Sequence, residues 1–356
     1  MMNIKHYLTS LGNILNSNGV KVERWRIIIL SGSFGIYAPE AIEALNRIGE
    51  VKRLTFSSPP KDSEVAEAIR GYDAVILGAI GRISAETLRN VENLKVIARH
   101  GVGYDNVDVQ EATRRGIAVT YTPHANAESV AEHTFTLILA LMRRIYEAYS
   151  TVKNGRWSER SKLIGFEIYG KTLGVIGFGA IGRRVAEIAI KGFNMKVLAY
   201  DPYINREEML KLNVKPVDLK ELLKESDIVS IHAILTSETH HLIGEEMLKQ
   251  MKSSALIVNT ARGPIIDEEA LIKALREKWI AGAALDVLET EPPNMKNPLL
   301  KMDNVLVTPH IAAFTVEALK RMDLMIVEDI DRIYNGLKPR RLVNPEVATR
   351  LGLRDS

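Results

Sequence analysis

The sequence predicts an α/β protein of two doubly wound parallel-sheet domains, one inserted into the other, and three observations carry that reading. Short apolar strands alternate with helical segments along most of the 356 residues, the pattern of parallel sheets covered on both faces. One strand runs directly into Gly177-x-Gly179-x-x-Gly182 and on into a helix. The last strong helical pattern, 316–334, follows the second run of strands, so the first domain is expected to receive it back.

Residues 1–24 read as an N-terminal extension. Ile4, Leu8, Leu11 and Leu15 fall at roughly helical spacing, which leaves a short amphipathic helix and a loosely docked tail both open. From Arg26 the expected order is strand 26–31, helix 39–48, strand 51–56, helix 63–70, strand 74–77, helix 84–90, strand 96–98, helix 107–115 and strand 118–120. One continuous helix is expected over 126–149, roughly 36 Å long, suited to bridging two lobes or building a dimer interface. A polar stretch, 154–162, precedes strands at 173–176, 196–200, 228–232, 255–259, 281–285 and 305–308. Six strands with intervening helices complete a second sheet. Gly336 and Pro339 then stop the final helix. These boundaries give a first domain of 25–123 plus 315–345 and an inserted domain of 124–314, with chemistry expected in the cleft between them.

Composition excludes several classes of function. The 47 basic and 44 acidic residues are interspersed and leave a net charge of +3, no footprint for nucleic acid or an anionic membrane. No apolar run reaches the ~18 residues of a membrane span. The N-terminus lacks the apolar core and cleavage site of a secretory signal, so a cytoplasmic location is expected. Without cysteine there is no disulfide, thiolate catalysis or cysteine metal site. No cluster shows metal-ligand spacing, so no metal is expected.

The glycine run implies a dinucleotide. Gly177 permits a tight turn, Gly179 lets the backbone approach a pyrophosphate, and Gly182 lets helix and strand pack closely. The first turn of the helix, Ala180 and Ile181 onward, presents free amides and partial positive charge to that pyrophosphate. A second strand, 196–200, leads to Asp201, placed to accept hydrogen bonds from ribose hydroxyls. With strand, helix and terminal acid in place, the expected cofactor is NAD.

Three motifs lie at the C-terminal ends of later strands, where open α/β sheets hold their ligands: Asn259-Thr-Ala-Arg262-Gly263, Asp286-Val-Leu-Glu-Thr-Glu291-Pro292 and Thr308-Pro-His310. Together they supply a cation, a carboxylate and an imidazole, the groups that hydride transfer at a 2-hydroxy or 2-oxo acid requires. Arg262 can fix the substrate carboxylate and polarise the oxo group. His310 can take and return the hydroxyl proton. Glu291 can hydrogen-bond the other ring nitrogen, fixing its orientation and favouring the imidazolium.

These motifs, with Gly101-Val-Gly-Tyr-Asp-Asn-Val-Asp108, Asn126-Ala-Glu-Ser-Val-Ala-Glu-His133 and Ala284-Leu-Asp-Val, resemble the D-isomer-specific 2-hydroxyacid dehydrogenases over residues 26–345. The resemblance implies a Rossmann-like NAD-binding domain inserted into a flavodoxin-like substrate-binding domain. It implies that Arg262, Glu291 and His310 are catalytic and that Asp286 lies near the nicotinamide carboxamide. Its cofactor site would further include Val102, His232, Ala233, Thr260, Ala261 and Ala313. The turn Arg99-His100-Gly101-Val102-Gly103 is similar to the loop whose backbone amides hold the substrate carboxylate. A homodimer joined through the NAD-binding domains, using the helix after Asn126, is also implied.

Two stretches depart from the family pattern, His232-Ala-Ile-Leu-Thr236 and Ala312-Ala313. For the substrate, phosphoglycerate dehydrogenases often carry an arginine where this chain has Gly78, although Arg99 matches a basic position of those enzymes. Losing one phosphate-binding cation forfeits a charge-assisted bond of ~1.5–3 kcal/mol. Glyoxylate or hydroxypyruvate is therefore favoured, with D-3-phosphoglycerate as the alternative. A third reading, an NAD-sensing partner protein without activity, stays open because some relatives of that kind keep a similar triad.

Overall fold

The computed structural model describes residues 24–355, so the expected helix around Ile4, Leu8, Leu11 and Leu15 lies outside the described residues. The chain divides into two compact units. One runs to Asn126 and resumes at Thr315; the other is Ala127–Phe314.

In chain order the first unit contributes β1 (Trp25–Leu30), α1 (Pro39–Ile48), β2 (Gly49–Arg53), α2 (Asp62–Ile69), β3 (Ala74–Leu77), α3 (Ala85–Arg89), β4 (Val96–Arg99), α4 (Val109–Arg115) and β5 (Ala118–Thr120). The second unit opens with α5 (Ala127–Met142) and α6 (Ile145–Lys153), followed by β6 (Thr172–Ile176), α7 (Ala180–Phe193), β7 (Lys196–Tyr200), α8 (Arg206–Lys211) and β8 (Lys215–Pro216). It continues with α9 (Leu219–Glu225), β9 (Ile228–Ile231), α10 (Glu245–Leu248), β10 (Leu256–Asn259), α11 (Glu268–Arg276), β11 (Gly282–Leu285) and β12 (Val305–Val307). The chain then returns to the first unit with α12 (Val316–Tyr334) and α13 (Val347–Arg350).

In the first unit the sheet order is β2-β1-β3-β4-β5, every pair parallel. That is the flavodoxin-like order. β3 and β4 are buried along their whole length, as apolar runs covered on both faces must be. One face packs Ile326, Val327, Ile330 and Ile333 of α12 against Ile27, Ile29 and Val96. The other packs Val65 and Ile69 of α2 against Ile28, Val75 and Ile97. The hydroxyl of Thr315 caps α12 by accepting from the Ala318 amide, which sets its start.

In the second unit the order is β12-β11-β10-β9-β6-β7-β8, again all parallel. Strand order reverses between β6 and β9, the switch point at which doubly wound sheets bind ligands. β8 was not expected. It is two residues at a sheet edge, one of them proline, and carries no apolar run to reveal it.

The expected single helix over 126–149 is two helices, broken at Arg144, whose φ is +52°. The Met142 carbonyl accepts from the Phe166 amide. The Arg144 guanidinium bonds the Lys162 carbonyl and Glu147. These tertiary contacts reward the break, and no proline or glycine announces it.

Candidate active site

The glycine turn after β6 fits a dinucleotide on its own geometry. Gly177 has φ +87°, and a Cβ there would stand 2.5 Å from the Ala233 amide and 2.6 Å from the His232 carbonyl carbon. The ends of β6 and β9 thus touch at the switch point. A Cβ on Gly182 would lie 2.1 Å from the Gly177 carbonyl oxygen, so α7 can close on the turn only without one. Gly179 is different: nothing lies within 4 Å of where its Cβ would be. Gly179 is also the N-cap of α7 and offers no side-chain acceptor, which leaves the amides of Ala180 and Ile181 for an anion.

Asp201 follows β7 and accepts from the Phe178 amide at 2.8 Å and the Tyr203 amide at 2.9 Å. Its carboxylate is therefore fixed beside the glycine turn. His232 follows β9. Its Nε2 meets the Ser230 hydroxyl at 2.8 Å, and its buried Nδ1 has no partner. Burial pushes this ring down to about 3, so it is neutral at ordinary pH. An open glycine, an uncapped helix start, a fixed carboxylate and an orphaned imidazole nitrogen at one switch point suit NAD.

Farther along the same sheet edge, Asn259 closes β10 and organises the next turn. Its side-chain amide donates to the Arg262 carbonyl at 2.8 Å, and its oxygen accepts from the Ala261 amide at 3.0 Å. Arg262 is partly buried and donates to the Ala261 carbonyl at 2.7 Å. Gly263 explains the Arg-Gly pair: its Cβ would fall 2.0 Å from the Leu288 carbonyl. The Arg262 turn therefore packs backbone-to-backbone on the turn that leads to Glu291.

His310 Nδ1 lies 2.7 Å from Glu291 Oε2, and Glu291 Oε1 accepts from the Leu288 amide at 3.0 Å. The glutamate is thus held by its own turn while it orients the imidazole. This leaves Nε2 as the nitrogen able to trade a proton. Cation, carboxylate and imidazole come together on the C-terminal edge of one sheet.

Other expected residues sit less directly at a ligand surface. Asp286 is 1% exposed, and its oxygens accept from the Thr308 hydroxyl and the Ile311 and Ala312 amides at 2.6, 2.9 and 2.8 Å. It braces the loop that carries His310, with Ala313 partly buried beyond. Thr260 is buried and bonds Thr134 of α5 at 3.1 Å.

In the first unit, Arg99 and His100 are both buried. The Arg99 guanidinium donates to the Leu77 and His100 carbonyls and to Asn106 Oδ1. His100 Nδ1 meets the Ser31 hydroxyl at 2.8 Å, and its Nε2 lies 2.9 Å from Asp323 Oδ1, out of hydrogen-bond line. Both side chains therefore support the turn whose partly exposed members are Gly101, Val102 and Gly103.

Sequence reasoning missed His133 on α5, whose Nε2 lies 3.1 Å from Thr308 Oγ1 and 3.4 Å from Asp286 Oδ1. The only signal was its place in the Asn126–His133 motif. Sequence spacing also hides a grouping of His240, His241 and Glu289, whose ligating atoms lie within 4.8 Å of one another. Glu289 already accepts from His241 at 2.8 Å and from the Glu268 amide at 3.2 Å. That grouping acts as a brace of the turn before Glu291.

Residues 135–312 match the family model described as D-isomer specific 2-hydroxyacid dehydrogenase, NAD binding domain. A glyoxylate reductase of Korarchaeum cryptofilum is 45% identical over 294 residues, 82% of this chain and 88% of the relative. A D-3-phosphoglycerate dehydrogenase of Archaeoglobus fulgidus is 44% identical over 86% of this chain but only 57% of its own length. The structure of D-lactate dehydrogenase from Aquifex aeolicus, complexed with NAD and lactic acid, superposes with a TM-score of 0.78 at 34% identity. It covers 90% of this chain and 99% of that one. With the strand-end motifs and the dinucleotide turn, these likenesses lead to one conclusion: the chain belongs to the D-isomer-specific 2-hydroxyacid dehydrogenases, NAD-dependent oxidoreductases acting on 2-hydroxy acids.

Proposed function

We propose that this enzyme reduces a small unphosphorylated 2-oxo acid, glyoxylate or hydroxypyruvate, with Arg262, Glu291 and His310 as its catalytic residues. The observation that carries the reading is the 2.7 Å pair of His310 Nδ1 and Glu291 Oε2, on a turn packed against that of Arg262. Bound NADH supplies the hydride for C2 of the acid. Arg262 grips the substrate carboxylate through its planar fork and polarises the C2 carbonyl. His310 gives its Nε2 proton to the C2 oxygen as negative charge develops there, and solvent restores it. Glu291 keeps the ring turned for that transfer. Running backward, neutral His310 takes the hydroxyl proton.

The turn 99–103 is proposed as the carboxylate-binding loop, acting through its backbone amides, with Arg99 and His100 as its supports. Two features favour an acid without phosphate. Position 78 carries no cation, and a Cβ there would lie 3.0 Å from the Ser31 Cα, so a longer side chain would require the chain after β1 to give by a few tenths of an ångström. Arg99, the other basic position, is spent on backbone carbonyls within its own unit. Named relatives include glyoxylate reductases from several archaea.

The proposed assembly is a homodimer in the cytoplasm, its occupant partner a second copy of this chain. Tyr146, Tyr149, Trp157, Ile164, Phe166 and Tyr169 are all more than 60% exposed on the segment after α5, a concentration of large apolar side chains that supports an interface there. The test of function is NADH consumption with glyoxylate, hydroxypyruvate, pyruvate and 3-phosphohydroxypyruvate. Highest kcat/KM on either of the first two supports the reading; highest on the phosphorylated acid replaces it with the phosphoglycerate alternative.

A further inference from the structure

His310 is not a glycine, yet its φ is +54°. A left-handed backbone costs an ordinary residue ~1–2 kcal/mol, and it persists where the surroundings over-determine it. Here nearly every constraint comes from one residue. The Asp286 carbonyl accepts the His310 amide at 2.8 Å. Its carboxylate accepts the next two amides, Ile311 and Ala312, and the hydroxyl of Thr308 on the other side. Asp286 thus encloses the strained residue from before and after.

What keeps Asp286 itself in place is the group behind it. Burial alone would raise its pKa, but hydrogen bonds from His133, Thr308, Ile311 and Ala312 outweigh burial and hold it below the usual range. The Thr308 hydroxyl has one proton, committed to Asp286 at 2.6 Å. Toward His133, both Thr308 Oγ1 and the carboxylate can therefore only accept, so His133 must present N–H at Nε2. Helix α5, which carries it, is fixed next door by the Thr134–Thr260 contact at 3.1 Å.

We propose that His133 is a positioning residue for the proton-transfer step: through Thr308 and Asp286 it holds the His310 loop in its left-handed conformation. Its role in this proposal runs through those two residues, which its Nε2 faces at 3.1 Å and 3.4 Å. The proposal rests on the reading of His310 as proton donor, and the experiment separates the two.

In His133→Ala, kcat for 2-oxo acid reduction falls by about 10- to 100-fold, the scale of a small misplacement of a reacting group. KM for the acid and Kd for NADH stay within about twofold. His133→Gln, whose side-chain amide can again donate to Thr308, recovers most of the loss. Thr308→Val gives a similar loss, and the His133→Ala/Thr308→Val double variant is no worse than the poorer single one, because both cut the same chain.

In the cofactor-free protein, the downfield Nδ1–H proton resonance of His310, identified by its absence in His310→Ala, moves in His133→Ala and returns in His133→Gln. Near-normal kcat in folded His133→Ala, additive losses in the double variant, or a loss expressed only as weaker NADH binding would each overturn the proposal. If His310→Ala itself turns over normally, it is the proton-donor reading that fails. An inactive His310→Ala beside a normal His133→Ala removes this inference alone.

Discussion

Gly179 and Gly182 stand three residues apart in the same turn, and the geometry assigns them opposite consequences. At Gly179 a methyl group meets nothing within 4 Å, and φ is −72°, a value any residue adopts. Alanine there removes backbone freedom from the unfolded chain, worth ~0.4–1 kcal/mol, and forfeits roughly 0.5–1 kcal/mol as a poorer N-cap. Stability should therefore stay within about 1 kcal/mol. The methyl would instead occupy the space through which a pyrophosphate approaches the backbone. Losing one charge-assisted hydrogen bond of ~1.5–3 kcal/mol weakens binding by about 10- to 160-fold.

At Gly182 the added Cβ would be 2.1 Å from the Gly177 oxygen, backbone against backbone. The helix must shift, at an overpacking cost of ~1–3 kcal/mol. Thermal melting and NADH fluorescence titration of Gly179→Ala and Gly182→Ala read both quantities. The expected pattern is a normal Tm with weak binding for the first and a lowered Tm for the second. If Gly179→Ala binds NADH as tightly as the unmodified protein, the dinucleotide does not cross this turn and the assignment of the site is refuted.

Three further outcomes follow from the same geometry. Asp201, fixed by two backbone amides, repels a 2′-phosphate, so kcat/KM for NADH should exceed that for NADPH; a ratio near one contradicts this. Arg262→Ala should raise KM for the acid and lower kcat together, and Arg262→Lys should recover only part, since an ammonium lacks the bidentate fork; equal activity of Lys and Arg would argue against that contact. His232 is held at about 3 when folded against ~6.5 unfolded. A depressed folded value means its contribution is intact above pH ~6.5 and is lost as pH falls toward about 3, at up to ~1.4 kcal/mol per unit. Chemical denaturation between pH 7 and 5 should show that slope, flattened in His232→Asn; an unchanged slope in the variant assigns it to other groups.

Much of this was legible in the chain. β3, β4 and β6 are short apolar runs that could be little else, and α12 occupies the expected 316–334 span because Thr315 caps it and Gly336 ends it. Arg262, Glu291 and His310 were nameable as candidates because each follows the end of an apolar strand, where this fold places ligands, and the structure seats His310 against Glu291. The break at Arg144 was not readable, since contacts with Lys162 and Phe166 cause it. Nor was the bracing role of Asp286 in the His310 loop, because its donors come from α5 and from the loop beyond β12. Local pattern encodes the elements and the strand ends. Which polar side chains face a ligand and which face each other is settled only when distant segments meet.

The central claim is that His310 delivers the proton while hydride reaches C2 of a small 2-oxo acid. It is tested most directly by comparing NADH oxidation by the unmodified enzyme and by His310→Ala at saturating glyoxylate, with NADH binding followed by fluorescence in both. The account predicts that kcat falls by roughly 10²–10⁴-fold, the usual contribution of a general acid–base, while Kd for NADH is unchanged within about twofold. Near-normal turnover by folded, NADH-binding His310→Ala would contradict it, because another group would then be supplying the proton.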